Sequence, residues 1–326
     1  MPTPFSIIIP AYNCQDHLRR LLTQIQELDY DKSQLEVLVV DDGSTDQTAS
    51  VAIEMGATLI QQEENMGRVI TRERGAREAK HETLVFVDAR CNIEKDLLKN
   101  AAKLNYLPLM GVGMSDKTLS IIDRVFYCIR KKVYHPYEPQ IKYAESLWLK
   151  PGEFDGRPKG TGLLIIQRNM FLNCALEEKY QDVNDDTKLL HNIVHKGAPI
   201  LRHTSLPFFY EHRHEWSQLL KHTFFRGPKF YDYYLVKEGP YFKYLLLGLI
   251  LLVALIVLFI LKPTILPTFF FTCALAPCIV ALWMSEEVKD FFACLIFFPP
   301  VAFAFITGIL FAFITRLLGN RELVKH

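Results

Sequence analysis

Apolar runs of strand length alternate with amphipathic stretches of helical length between residues 5 and 87. Phe5–Ile9, Glu36–Val40, Thr58–Gln61 and Thr83–Val87 read as strands. Between them, Gln15–Leu28 places Leu18, Leu21, Leu22 and Ile25 on one helical face. A second helix runs from the capping residues Ser44, Thr45 and Asp46 through Met55, and a third, rich in arginine, covers 68–80. Strands alternating with helices predict parallel βαβ units and an α/β fold with a doubly wound, mostly parallel sheet. Downstream the pattern predicts helices over 96–106 and 117–132 and a Pro- and Tyr-rich region over 133–159. A strand follows over 160–166, then helices over 169–177 and 184–197 and an extended segment over 200–210.

Polarity changes beyond residue 240. Three apolar segments, 241–261, 265–284 and 291–315, reach the ~20 residues that a helix rising ~1.5 Å per residue needs to cross a ~30 Å hydrocarbon core. Pro299 and Pro300 leave the third open to a kink or a re-entrant course. Ahead of these segments, 213–240 mixes Trp216, Phe224, Phe225, Phe230, Tyr231, Tyr233 and Tyr234 with Lys221, Arg226 and Lys229. That composition suits a membrane–water interface; the alternative is a surface helix with a buried aromatic face. The expected organisation is therefore a domain over 1–212, an interfacial segment over 213–240 and a membrane region over 241–326.

Across 326 residues the net charge is +1, so the electrostatics give no reason to expect a nucleic-acid partner. Seven scattered cysteines without a CxxC pair argue against a disulfide framework or zinc site and suit a reducing compartment. Met1 leads into an apolar strand with no basic segment before it, so the domain is expected on the cytoplasmic side. Three spans would then put Arg316, Arg321 and Lys325 outside, against the positive-inside tendency, which leaves the topology open. Arg124, Arg130, Lys131 and Lys132 form either a solvated basic face or a contact for anionic lipid head groups or an acceptor phosphate.

The candidate chemistry lies at strand ends. Asp41 and Asp42 follow the second strand and Asp88 follows the fourth, where α/β sheets bind ligands. Asp185 and Asp186 head a helix; on residue chemistry alone such a pair is a cap. His191 and His195 have i, i+4 spacing, which suits a metal, but a lone pair on a soluble helix is usually solvent-facing.

Three segments, SIIIPAYN, VLVVDDGSTDQT and ENMGRVITRERGAREAKHETLVFVDAR, resemble the amino-terminal half of glycosyltransferase family 2, closely over residues 1–90 and loosely over 155–230. The resemblance implies a GT-A fold and inverting transfer from a nucleotide-activated sugar. It places Pro10, Ala11, Tyr12 and Asn13 along the nucleotide pocket and Asp41 and Asp42 at the base and ribose. Asn65, Gly67, Arg68, Arg72 and Gly75 fall in the nucleotide-facing region, with Glu73 where the family has Asn. Asp88 matches the first carboxylate of a metal-binding DxD motif that would hold Mg²⁺ or Mn²⁺ against the diphosphate. The last position is Arg90, which cannot ligate a cation but whose fork could bind phosphate itself; the other readings are a metal held by Asp88, the phosphates and water alone, and a relative that has lost sugar transfer. Asp186 aligns with the catalytic base and Asp185 with its acidic neighbour. Gly160, Thr161 and Gly162 would lie beside sugar and acceptor. Arg226 and Gly227, with Gln218, match a QxxRW motif only poorly.

The function so implied is a membrane-anchored inverting glycosyltransferase. It would move a sugar, UDP-linked, to a lipid-linked or glycan acceptor hydroxyl at the cytoplasmic membrane face. A polyprenyl-phosphate sugar synthase and a catalytically degenerate nucleotide-sugar-binding membrane module stay open beside it.

Overall fold

The computed structural model describes residues 3–114, 120–134, 146–176, 185–211, 215–237 and 239–319. Expectations for 117–119, 135–145, 184 and the basic tail at Arg321 and Lys325 lie outside them. The chain forms two compact units, Met1–Ser115 with Tyr134–His212, and Asp116–Val133 with Arg213–His326.

The first unit is built on one mixed sheet. In chain order it contains β1 (Phe5–Ala11), α1 (Gln15–Gln26), β2 (Leu35–Asp41), α2 (Thr48–Glu54), β3 (Thr58–Gln61), α3 (Arg68–Glu78) and β4 (Thr83–Val87). There follow β5 (Cys91–Ile93), α4 (Leu97–Leu104) and β6 (Leu109–Met114). After α5 (Ile121–Val133), which groups with the second unit, come β7 (Leu147–Leu149), β8 (Leu163–Gln167) and α6 (Arg168–Cys174). The last are α7 (Asp185–Asn192), prolonged by a π-helical turn over Ile193–Gly197, and β9 (Ile200–Tyr210). The strand order is β3-β2-β1-β4-β8-β6-β9-β5, with β7 on β9.

The half from β3 to β4 is parallel, as the βαβ pattern predicts. Beyond β4 the sheet is mixed, because β8 runs antiparallel to both β4 and β6. Strand β1 continues through Pro10, past its predicted end. Its pairing with β4 stops at Ile8, so the missing proline N–H falls where one flank of the strand has no ladder. Ala11, Asp41 and Gln61 lie side by side at the carboxyl ends of β1, β2 and β3.

Both faces of this sheet are covered, which is why its strands read as continuous apolar runs. Ile7, Ile9, Val39 and Val85 join Leu18, Leu21, Leu97 and Leu98 in one core, under α1 and α4. Ile8, Leu38, Val40, Leu84 and Phe86 face the other way, onto Ala76, Phe171, Leu190 and Ile193. Helix α3 brings few apolar side chains to the sheet, chiefly Val69 and Ala76, and lies close on it at Gly75. A Cβ there would come 2.5 Å from Ile8 Cγ2 and 3.0 Å from Val40 Cγ2. That close seating carries Arg72, on the same buried face, to the carboxyl edge.

The second unit is helical: α5, α8 (Trp216–Phe230, continued by a π-helical turn over Tyr231–Leu235), α9 (Phe242–Leu261), α10 (Leu266–Met284) and α11 (Val288–Leu317). Three of its helical segments, Phe242–Leu261, Pro263–Met284 and Val288–Leu317, are long and apolar enough to cross a membrane. Pro299 and Pro300 are contained in α11, which runs on through them as one helix. Helices α8 and α11 cross backbone to backbone, since a Cβ on Gly227 would stand 2.6 Å from Gly308 C and from Phe305 O. Arg316 makes a two-armed pair with Asp232 (2.7 and 3.1 Å). On α5 the basic residues meet acids. Arg124 reaches Asp290 at 2.8 Å and Glu287 at 3.3 Å, Lys131 pairs with Glu286, and Lys132 lies over the Trp283 ring. Neither a solvated basic face nor a lipid contact describes Arg124 and Lys131, because their charges are answered inside the unit.

Candidate active site

Two loops form a rim at the carboxyl ends of β1 and β2. Asn13, with a left-handed φ of 46°, accepts from Thr45 N on Oδ1 (2.8 Å) while its own N–H donates to Ser44 Oγ (2.9 Å). Asp46 accepts from Gln15 N, Thr48 N and Thr48 Oγ1, so its carboxylate ties the start of α1 to the start of α2. Tyr12 stands on this rim 48% exposed, and Pro10 and Ala11 complete β1 beneath it.

Asp41 and Asp42 are both buried. Asp41 accepts from Ser44 N (3.2 Å), closing the turn after β2. Asp42 accepts from Met66 N (2.7 Å), Gly67 N (3.0 Å) and Gln62 Nε2 (2.9 Å). Burial pushes its carboxyl up from the ordinary range, against the backbone N–H bonds that pull it down. Gly67 takes φ +87°, and the N–H groups that Asp42 receives belong to the entry of α3. The two carboxylates expected at a base and ribose thus already bind protein N–H groups, and Asp42 fixes the start of the helix that carries Arg68 and Arg72.

Arg72 is the centre of the site. Its guanidinium is buried, with Nη2 donating to Asp88 Oδ1 and Nη1 to Asp186 Oδ1, each at 2.8 Å. Arg68 Nη1 stands 3.4 Å from the second Asp186 oxygen, and Thr161 Oγ1 donates to Asp186 at 2.6 Å. Asp88 N donates to Gly162 O (3.1 Å), so the Gly160–Gly162 segment is tied to both acids. Burial alone would raise the Asp186 carboxyl, but Arg68, Arg72 and the Thr161 hydroxyl more than offset it and hold the group well below the usual carboxylate range. Asp185 opens α7 beside it; its side chain lies outside the described ones.

Sequence reasoning passed over Lys159, which precedes the Gly160–Gly162 segment and belongs to no periodic pattern. Its Nζ donates to the carbonyls of Phe154 (2.8 Å), Asp155 (3.0 Å) and Arg157 (3.3 Å), folding the loop that delivers Thr161. Burial lowers its ammonium to about 8. His191 and His195 stack on one another at 3.9 Å, with Phe154 edge-on to His191. Arg226 is exposed on α8 in the second unit, and Gln218 bonds to Glu215.

Arg90 occupies the turn between β4 and β5, where its carbonyl accepts from Glu211 N. Its charge is felt at His17, whose imidazole is lowered first by burial and then by Arg90. Among the described residues, no group of three His, Cys, Asp or Glu side chains could hold a metal ion. The Asp88 carboxylate that a Mg²⁺ or Mn²⁺ ion would need is already bound to Arg72, and Arg90 stands where a second acid of the same turn would be.

A buried arginine from α3 thus joins an acid after β4 to an acid at the head of α7, beside a rim made by the loops after β1 and β2. Residues 6–105 match the family model described as Glycosyl transferase family 2. They are a glycosyl transferase family 2 domain. The chain is 36% identical over 103 residues to the poly(ribitol-phosphate) beta-N-acetylglucosaminyltransferase TarS of Staphylococcus aureus, covering 30% of this chain and 18% of that protein. It is 31% identical over 102 residues to glycosyltransferase AglE of Haloferax volcanii, covering 29% of this chain and 34% of the relative. The chain therefore matches well under half the length of either relative. Among solved structures, mannosyltransferase PcManGT from Pyrobaculum calidifontis, in complex with GDP-Man and Mn²⁺, is similar over 98% of this chain and 90% of its own, with a TM-score of 0.55 and 22% identity. That likeness shows the fold, a mixed α/β sheet of GT-A type followed by helices. The match to the family model ends before Thr161 and Asp186, so the site draws on residues beyond it.

Proposed function

We propose that this chain is a membrane-anchored inverting glycosyltransferase. It moves a sugar from a UDP-linked donor to the hydroxyl of a lipid-linked or glycan acceptor at the cytoplasmic membrane face. The observation that carries the proposal is the Arg72 bridge between Asp88 and Asp186, with Arg68 and Thr161 on the same acid.

Asp186, held by two guanidinium groups, is ionised but a weak base, and a general base works best when its pKa lies near the operating pH. The diphosphate of a bound donor offers Arg68 a stronger partner and shares Arg72. Asp186 then loses much of the positive field that depresses it and becomes basic when, and only when, donor is present. It takes the proton from the acceptor hydroxyl as that oxygen attacks C1, on the face opposite the departing nucleoside diphosphate, which inverts the anomeric centre. Thr161, donating to the same carboxylate, keeps it oriented.

The naming of both relatives as glycosyltransferases supports the reaction class. The preference for UDP rests on the resemblance of the Asp41–Asp42 segment. The three membrane-length helices support a lipid-associated acceptor, because an anchor confines enzyme and acceptor to one plane. An acceptor that is already a phosphate needs no base, so the placement of Asp186 favours a hydroxyl acceptor over a polyprenyl-phosphate. The test is nucleoside diphosphate release by the full chain in detergent, with a panel of UDP- and GDP-sugars and a membrane lipid extract. Release that requires both a UDP-sugar and the extract supports the proposal; binding with no release under any combination contradicts it and leaves a binding module.

A further inference from the structure

As a glycosidic bond to a nucleotide breaks, negative charge builds on the leaving diphosphate, and the site must hold it with a metal ion or with fixed cations. In this chain the gap between the two nearest carboxylates is filled by a guanidinium. Arg72 lies 2.8 Å from Asp88 and 2.8 Å from Asp186, almost wholly buried on the face of α3 that Gly75 seats against the sheet. An arginine fixed in that way has little room to swing aside for an incoming ion. Arg90 stands two residues after Asp88, where a second acid would have to be for a pair of oxygens from one turn. The side chain of Arg68 is 48% exposed at the same acid.

We propose that this chain holds the diphosphate of its donor without a divalent cation, with Arg72 standing between Asp88 and Asp186 in place of the ion and Arg68 and Arg90 supplying the remaining positive charge. The inference rests on the nucleotide-binding reading above and concerns only what neutralises the phosphates.

Three considerations support it. Mg²⁺ at a nucleotide site is held by one or two carboxylates with phosphate and water oxygens, and here the Asp88 carboxylate is bound to Arg72 with Arg90 in place of a second acid. A guanidinium is permanently charged and binds phosphate oxygens through two parallel N–H bonds, so it supplies both charge and orientation. Asp88 and Asp186 offset Arg72 and Arg68 in charge, and Arg90, two residues after Asp88 in the chain, adds one further cation. The acids hold the arginines in place before the nucleotide arrives, and no ion has to be recruited with it.

The experiment is calorimetric titration of the full chain in detergent with UDP and with GDP, each in EDTA and in Mn²⁺. For whichever nucleotide binds, the Kd values in the two buffers are expected to agree within about threefold, and a larger tightening by Mn²⁺ overturns the inference while leaving the transferase reading intact. Failure of both nucleotides to bind in either buffer removes the nucleotide reading and this inference with it. A second measurement needs no nucleotide. Adding the protein to Mn²⁺ should leave the free-ion paramagnetic resonance signal unchanged, and immobilised Mn²⁺ that Asp88→Asn releases would contradict the account. Arg68→Ala, at a half-exposed position, is expected to weaken nucleotide binding in EDTA by about tenfold, and unchanged affinity would remove Arg68 from the phosphate site.

Discussion

Arg72 is a cation with almost no solvent, and its two carboxylate partners come from segments far apart in the chain. Removing one member of a buried charged set leaves the others uncompensated. Arg72→Met is therefore expected to destabilise the first unit by about 3–5 kcal/mol, read as a shift in its thermal unfolding. Lys159 acts on a smaller scale. Its ammonium is lowered from the ordinary 10.5 to about 8, so between those values the folded chain has lost a proton that the unfolded chain keeps. Stability from this group accordingly rises as pH increases through that window, by at most about 3 kcal/mol. The difference in unfolding temperature between wild type and Lys159→Met, followed from pH 7 to 10, should show that slope, and a flat difference would refute it. At this scale the sequence was partly legible. Asp88, Arg72, Thr161 and Asp186 could be named from local motifs, but their joining through one guanidinium could not, because no spacing rule links residues 72 and 186. The same limit hid the work of Asp42, whose partners at Met66 and Gly67 lie across a loop.

Helices and strands carry the site at the next scale. Helix α3 reads as a surface helix, being rich in arginine, yet its inward face rests on Ile8 and Val40 because Gly75 has no side chain. In the second unit the crossing of α8 and α11 depends on Gly227 and Gly308 in the same way. Gly308→Ala drives a methyl group into the Phe224 carbonyl, and such overpacking is expected to cost about 1–3 kcal/mol, measured as a lower unfolding temperature in detergent. Most elements of the parallel half were legible, since long apolar runs with helices between them admit one arrangement. Strands β5, β6 and β7 were not. They are short, Gly111 and Gly113 interrupt β6, and each is held by pairing with distant strands rather than by a pattern of its own. The acids that answer Arg124 and Lys131 were equally out of reach, more than 150 residues away in the chain.

The whole molecule combines a family 2 domain with helices of membrane length. Helices that apolar in composition should keep the chain in the membrane pellet through an alkaline carbonate wash, with release only by detergent; recovery in the wash would argue against spanning. Under the proposed function, Asp186 is the base for sugar transfer, restrained by Arg72 and Arg68 until donor binds. That role is tested by comparing wild type with Asp186→Asn, using UDP-sugar turnover in the presence of lipid extract and, separately, UDP affinity. Transfer is expected to fall by about two to four orders of magnitude, with nucleotide affinity kept or improved. Full turnover in Asp186→Asn would contradict it.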